Sequence, residues 1–117
     1  MIGAHVDLSE EQVITKIVVK GHAGYSLKGS DIVCAGVTVL LRTFVGLVRA
    51  EPYIVVHWLK ESEGNVEFSV TAVKAHPERY EGWCWYFLRG LEDLAKEFPE
   101  YLKLSYGHWK GRLFHGT

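Results

Sequence analysis

The chain has 117 residues, of which 48% are hydrophobic and 23% charged, and its formal net charge is −1. This length predicts one domain with a core of its own, and the near-neutral charge argues against a basic nucleic-acid-binding surface. The two cysteines form neither a disulfide framework nor a C-x-x-C motif, so we expect reduced thiols, no metal and no cofactor.

The first residues show no basic stretch followed by an apolar segment, which would be typical of a signal peptide. The most apolar segment, residues 32–48, contains Arg42 and is expected to be too short and too polar to cross a bilayer. We therefore expect a cytoplasmic protein with no membrane partner and no nucleic-acid partner.

In the first half of the chain, alternating apolar residues predict strands at 2–8 and 12–20, joined as a hairpin. After a glycine-containing loop, Ser30 or Asp31 is predicted to cap a helix that continues to about Arg49. This helix is apolar on nearly every face, which is typical of a helix at the centre of a fold or in a dimer interface.

The second half predicts strands at 53–60 and 66–72, a helix from Pro77 to Phe98 and a short strand at 101–104. The element order is then β-β-α-β-β-α-β, which favours a two-layer α+β domain with two helices packed on a mainly antiparallel sheet. We assign residues 1–105 to this domain and 106–117 to a C-terminal tail.

The loop and helix start contain a histidine and a cysteine, His22 and Cys34, twelve residues apart. If Asp31 is the cap, Cys34 lies in the first helical turn, where unpaired N–H groups and the helix dipole favour a thiolate. An imidazole within reach would activate the thiol and then protonate a leaving amine. The pair therefore suggests a cysteine nucleophile with a histidine base.

Plainer interpretations stay open for each of these residues. Asp31 can serve only as a helix cap, or it can orient His22 or hold a substrate amide. Thr38 can bond to its own helix backbone, or it can act near the sulfur. Cys34 can be a buried structural thiol, as we expect Cys84 to be, because Cys84 lies on the apolar stripe of the second helix.

A longer motif surrounds the pair: Gly-His-Ala-Gly-Tyr at 21–25, then Gly-x-Asp-Ile-Val-Cys-Ala at 29–35 and Val-Thr at 37–38. It resembles the motif of the bacterial ribosomal-processing cysteine protease family, Prp, whose usual form is G-H-A-G-Y followed by D-I-V-C-A-A-V-S. The resemblance extends to about residue 105.

The resemblance implies an endopeptidase that removes a short N-terminal extension from a ribosomal large-subunit protein, and it implies a homodimer. It gives the nucleophile role to Cys34 and the base role to His22. Five further residues match positions that bind substrate or support the site in that family: Gly21, Gly24, Tyr25, Asp31 and Thr38.

Two other functions remain open. One is a non-catalytic, ribosome-associated binding module, for which a small basic and aromatic cluster near the end of the chain is the argument: Lys103, Tyr106, Trp109, Lys110 and Arg112. The other is a thiol redox sensor at Cys34, although the sequence offers no obvious resolving cysteine.

Overall fold

The computed structural model of the chain describes residues 1–21, 28–62 and 64–114, without the side chains of 28–31 and Trp58. Its elements are β1 (Ile2–Leu8), β2 (Ile14–Lys20), α1 (Lys28–Arg49), β3 (Ile54–Ser62), β4 (Asn65–Val73), α2 (Pro77–Glu97) and β5 (Leu102–His108). The predicted order of strands and helices is confirmed.

The five strands form one sheet in the order β3-β4-β2-β1-β5. Three of the neighbouring pairs are antiparallel, and β1 pairs with β5 in parallel. Inward-facing residues of the strands, such as Val6, Ile17 and Phe68, are buried in one core with residues of both helices. The two-layer α+β architecture with a mainly antiparallel sheet is thus confirmed.

Aromatic rings join the helices to the sheet. The ring of Phe44 on α1 lies 6.4 Å from that of Phe68 on β4 and 4.9 Å from that of Phe87 on α2, between centroids. The Tyr80 hydroxyl on α2 donates a hydrogen bond to the carbonyl of Ile14 on β2. These contacts fix both helices against the inner face of the sheet.

The two helices pack closely because each has a glycine where the other presents a leucine. A Cβ atom at Gly36 of α1 would lie 3.0 Å from the Leu94 side chain, and one at Gly90 of α2 would lie 2.8 Å from the Leu40 side chain. A larger residue at either position would require the facing leucine side chain to move, so these glycines leave room for the two leucines in the helix interface.

The surface of α1 departs from the sequence-based expectation. Residues 32–49 have a mean hydropathy of 1.8, so by length and composition this helix could cross a membrane, and the prediction that it is too short and too polar was wrong. In the folded chain one stripe of α1 is buried as a core helix would be: Val33, Val37, Leu41, Phe44 and Val48. Other apolar residues, such as Val39 and Leu47, remain exposed.

The segment after residue 105 packs on the domain as far as Phe114. The strand β5 continues to His108, and Leu113 is buried in the core. The Glu11 carboxylate accepts hydrogen bonds from the backbone N–H groups of Leu113 and Phe114, at 2.8 and 2.9 Å. Residues 106–114 therefore pack on the domain, and residues 115–117 lie outside the described chain.

Candidate active site

Cys34 lies on the side of α1 that faces the ends of the central strands. Its side chain is partly exposed and borders the core. It lines a cleft of about 600 Å³ whose walls include Ile2 and Val19 from the strands and Asn65 from β4. The thiol is therefore a free thiol in the wall of an open cleft, and it is not fully buried.

The helix begins earlier than predicted, which changes the surroundings of Cys34. Because α1 starts at Lys28, Ser30 and Asp31 lie inside the helix, and Cys34 is its seventh residue. The predicted cap at Ser30 or Asp31 was wrong, since both residue types also fit a first helical turn and residue type alone does not fix where a helix starts. The N–H groups that lack intrahelical partners belong to the first turn of α1, well before Cys34, so the helix dipole acts on the sulfur from a greater distance.

The hydroxyl of Thr38 is engaged by its own helix. It donates a hydrogen bond to the carbonyl oxygen of Cys34 at 2.7 Å. The interpretation that Thr38 bonds to its own helix backbone is thus the one that describes its contact. Thr38 also lines the cleft beside Cys34. The bond connects the two cleft residues one helical turn apart and restrains the Thr38 rotamer.

Gly21 joins the end of β2 to the tip of the β3–β4 hairpin. Its N–H donates a hydrogen bond to the carbonyl of Gly64 at 2.8 Å, and both residues have positive φ, 97° and 74°. A Cβ atom at Gly21 would collide with the carbonyl oxygen of Met1. Glycine is therefore required at Gly21, which itself lines the cleft.

Several predicted site residues lie outside the described part of the chain. These are His22, Gly24 and Tyr25, together with the side chain of Asp31. The structure brings Gly21, Cys34 and Thr38 to one cleft, and the pairing of Cys34 with His22 stays a prediction.

The second cysteine, Cys84, is buried, whereas Cys34 is partly exposed. Cys84 is fully buried in α2, and its Sγ accepts a hydrogen bond from the N–H of Ile14. Burial raises the pKa of the Cys84 thiol to about 12, so it is protonated and unreactive at neutral pH. The prediction that Cys84 belongs to the core is confirmed.

The tip of the hairpin supplies a wall of the cleft that the sequence did not reveal. Glu61, Ser62 and Asn65 line it opposite α1. These residues reach the cleft only because β4 pairs with β2 in the middle of the sheet. Without the strand order, no local signal connects them with Cys34.

A two-layer α+β domain with an accessible cysteine in a cleft at the strand ends fits the class of small cysteine proteases. The family model of the cysteine protease Prp matches residues 1–103. The chain therefore belongs to the Prp family, and it is a cysteine protease.

Similar proteins agree with this assignment over nearly the whole chain. The ribosomal processing cysteine protease Prp of Staphylococcus aureus, strain Mu50, is 24% identical over 110 residues, covering 91% of this chain and 99% of the relative. The same protein from strain NCTC 8325 gives the same values.

Two solved structures share the fold. The S. aureus protease Prp in complex with a covalently linked product peptide has a TM-score of 0.75 at 21% identity, covering 91% of this chain and 99% of the other. The protein SMU.848 from Streptococcus mutans has a TM-score of 0.76 at 24% identity, covering 93% and 96%. At these identities the structural likeness supports the architecture alone.

Proposed function

We propose that the protein is an endopeptidase that removes a short N-terminal extension from a ribosomal large-subunit protein, with Cys34 as nucleophile and His22 as base. The observation that carries this proposal is the position of Cys34. It is a partly exposed thiol in a cleft that Gly21 also lines, and His22 follows Gly21 directly.

The chemistry needs one sulfur and one proton carrier. In the proposed reaction, His22 takes the proton of the Cys34 thiol, and the thiolate attacks the scissile carbonyl. The imidazolium then protonates the departing amine, which leaves an acyl group on sulfur. Water, deprotonated by the same imidazole, attacks this thioester and regenerates the thiol.

The remaining predicted residues support the two reacting groups in this proposal. Gly21 sets the direction in which the chain leaves β2, and Thr38 restrains the helical turn that follows Cys34. The roles of Gly24, Tyr25 and Asp31 in holding the substrate come from the family resemblance.

The proposed substrate rests on the relatives. Two of them are named ribosomal processing proteases, and S. aureus Prp has been solved in complex with a substrate peptide. A precursor of a ribosomal large-subunit protein is the partner that this relationship favours, and the cytoplasm is the corresponding compartment.

The test is to incubate the purified protein with a peptide that spans the junction between extension and mature protein. We expect one cut, lost in Cys34→Ser and reduced roughly 10²- to 10⁴-fold in His22→Ala. An exposed histidine on β5 offers a matched control, His108→Ala, which should cut at the normal rate. Tight binding without a cut in the unaltered protein would instead favour the ribosome-associated binding module.

We also propose that the protein forms a homodimer through the outer face of its helices. A groove of about 430 Å³ between α1 and α2 is lined by Val39, Leu47, Trp83 and Tyr86 among others. Within this groove, Tyr86 is 78% exposed and Val39 is 64% exposed. Apolar surface of this kind is typical of a protein–protein interface.

A further inference from the structure

Both helices pack on one side of the sheet, and the other side faces solvent in the described chain. The side that packs on the helices carries Val6, Ile17 and Phe68, and the residues on either side of each in its strand are partly exposed. We call this second side the outer face. A solvated face is ordinary for a mainly antiparallel sheet, so its chemistry decides whether it has a partner.

Four lysines project from the outer face, and the strand registers give their positions. Lys103 on β5 and Lys20 on β2 both pair with Gly3 of β1, so their Cα atoms lie about 10 Å apart, at two strand spacings. Lys16 precedes Lys20 by four residues on β2, which is about 13 Å along the strand. The fourth lysine, Lys60, extends the set to β3.

The described part of the outer face also carries two carboxylates, and both have a partner close by. The Asp7 carboxylate accepts a hydrogen bond from Nε2 of His5 at 3.0 Å. Glu67 on β4 is the cross-strand partner of Lys60. Four lysines against two carboxylates leave this face with an excess of two positive charges, whereas the whole chain has a net charge of −1.

This positive charge is available to a partner. Among the described residues, none of the four lysines has a carboxylate within 4 Å of its ammonium group. The expectation of no nucleic-acid partner rested on the net charge of the whole chain, which averages over this face and a more acidic remainder. A polyanion responds to the charge of the face that it approaches.

An aromatic groove lies on the outer face where β5 ends. Trp109 is 46% exposed and lines a groove of about 320 Å³ together with Asp7, Lys16 and Ser69 among others. A Cβ atom at Gly111 would overlap the indole ring of Trp109, so the ring lies against the Gly111 backbone, which restrains it. An exposed ring that is already restrained can stack on a planar ligand with little further loss of entropy.

The fold divides the basic and aromatic cluster near the end of the chain between two sides of the sheet. Lys103 and Trp109 belong to the outer face, where they join lysines of β2 and β3 that are distant in the sequence. Tyr106 points to the helices, because its hydroxyl donates a hydrogen bond to Glu92 of α2 at 2.7 Å. The outer face is therefore a different set of residues from the cluster that the sequence indicates.

We propose that the outer face binds single-stranded RNA, with the phosphate backbone along Lys16, Lys20 and Lys103 and one base stacked on Trp109. Lysines that neutralise phosphates release condensed counterions, which favours binding of a polyanion. Every base has a π-face that can stack on an indole ring once the base is unpaired. In the groove, the Asp7 carboxylate can accept a hydrogen bond from an exocyclic amino group of that base.

The RNA site lies on the opposite side of the sheet from the cleft. The strand residues that line the cleft with Cys34 include Ile2 and Val19, which belong to the buried face, so RNA and peptide can bind at the same time. The choice of RNA over DNA rests on the proposed function, whose substrate is a ribosomal protein.

The first measurement uses the unaltered protein and a fluorescein-labelled, single-stranded RNA of ten nucleotides in an anisotropy titration. We expect a dissociation constant on the order of 1–100 µM, and a slope of about −2 for log K against log salt if three lysines contact phosphates. A strand of equal length and charge with abasic sites should bind roughly fivefold more weakly or worse. An absence of RNA binding, with or without binding to phosphatidylglycerol vesicles, overturns the proposal.

Two pairs of substitutions test the place of binding. Lys20→Gln with Lys103→Gln should reduce the steepness of the salt dependence by about 1.4. Arg89→Gln with Lys96→Gln removes the same charge from exposed positions of α2, on the other side of the sheet, and should leave the slope unchanged. Equal effects of the two pairs would show a response to net charge alone and would contradict a site on the outer face.

The stacking contact is tested at Trp109. Trp109→Ala should weaken RNA binding roughly fivefold or more, and Trp109→Phe, which keeps a ring, should recover most of the loss. Trp85→Ala is the matched control, since Trp85 is 71% exposed on α2. Unchanged affinity in folded Trp109→Ala refutes the stacking, and if that variant fails to fold, the abasic strand decides.

These measurements are independent of the protease proposal. Cys34→Ser should bind the RNA with the affinity of the unaltered protein, because Cys34 is on the other side of the sheet. Peptide cleavage without RNA binding would refute the RNA site alone. RNA binding that depends on Trp109 and the lysines, without peptide cleavage, would support the RNA site and refute the protease proposal.

Discussion

The N–H of Gly21 and the carbonyl of Gly64 are joined by a 2.8 Å hydrogen bond that closes one end of the cleft. The bond connects the end of β2 with the tip of the β3–β4 hairpin, which lines the opposite wall of the cleft. In the sequence, His22 follows Gly21 directly. Gly21 and Gly64 are far apart in the sequence, and each has a positive φ that favours glycine.

Substitution of Gly21 should damage the site more than an equivalent change elsewhere. Gly21→Ala places a Cβ against the Met1 carbonyl oxygen and forces a positive φ on alanine, so we expect a loss of about 1–3 kcal/mol in stability. We also expect slower peptide cleavage at a temperature where the variant is folded. Urea unfolding and the cleavage assay measure the two effects.

Gly3→Ala is the matched control for Gly21→Ala, since nothing lies within 4 Å of a Cβ atom at Gly3. It should unfold and cleave like the unaltered protein. If both variants behave alike, the constraint at the end of β2 has no bearing on the site.

The two thiols should differ in their reaction with iodoacetamide. Cys34 is partly exposed, whereas Cys84 is buried with a pKa of about 12. We expect Cys34 to react below pH 7, on the order of a hundredfold or more faster than Cys84. Mass spectrometry of tryptic peptides assigns the modified residue.

His22→Ala should slow the alkylation of Cys34 at pH 6.5, because the proposed imidazole stabilises the thiolate. His108→Ala should leave the rate unchanged. Slow reaction of both cysteines at rates that rise only near pH 8.5, the range of an ordinary thiol, would speak against an activated nucleophile.

Glu11 should stabilise the C-terminal segment in a pH-dependent way. Burial alone would raise the pKa of Glu11, but hydrogen bonds from the N–H groups of Leu113 and Phe114 outweigh it and hold that pKa below its ordinary value of 4.5. The stabilisation is therefore present above pH 4.5 and is lost as the pH falls through the lowered pKa. We expect Glu11→Gln to lower the free energy of unfolding by about 1–2 kcal/mol at pH 7.

The comparison variant for Glu11 is Glu10→Gln. Glu10 pairs with Arg112 at 3.4 Å on an exposed surface, where such pairs contribute little. Thermal unfolding at several pH values should show a destabilised Glu11→Gln that converges with the unaltered protein in acid. A difference that persists at pH 2 would show that the effect does not come from this carboxylate.

The proposed dimer should depend on Tyr86. Tyr86→Asp places a charge in the exposed apolar groove between α1 and α2, and we expect a shift to monomer in sedimentation experiments. Lys103→Glu on β5 changes the charge on a different surface and should leave the mass unchanged. A monomeric unaltered protein at micromolar concentration would refute the dimer.

The order of the elements follows from apolar periodicity, and several boundaries agree with it to the residue, such as β1 at residues 2–8. The start of α1 does not, because Ser30 and Asp31 fit the first turn of a helix as well as its cap. The residues that form the hairpin wall of the cleft could not be predicted from local sequence patterns. They depend on the pairing of β4 with β2, and strand order is a property of the whole chain.

The parallel pairing of β1 with β5 has a consequence for the timing of activity. Ile2 lies in the wall of the cleft, and its N–H is held by the carbonyl of Tyr101, almost a hundred residues away. A nascent chain on the ribosome cannot complete that wall before its last strand has been synthesised. The wall of the cleft at Ile2 is therefore complete only after Tyr101 and β5 have been synthesised and have paired with β1.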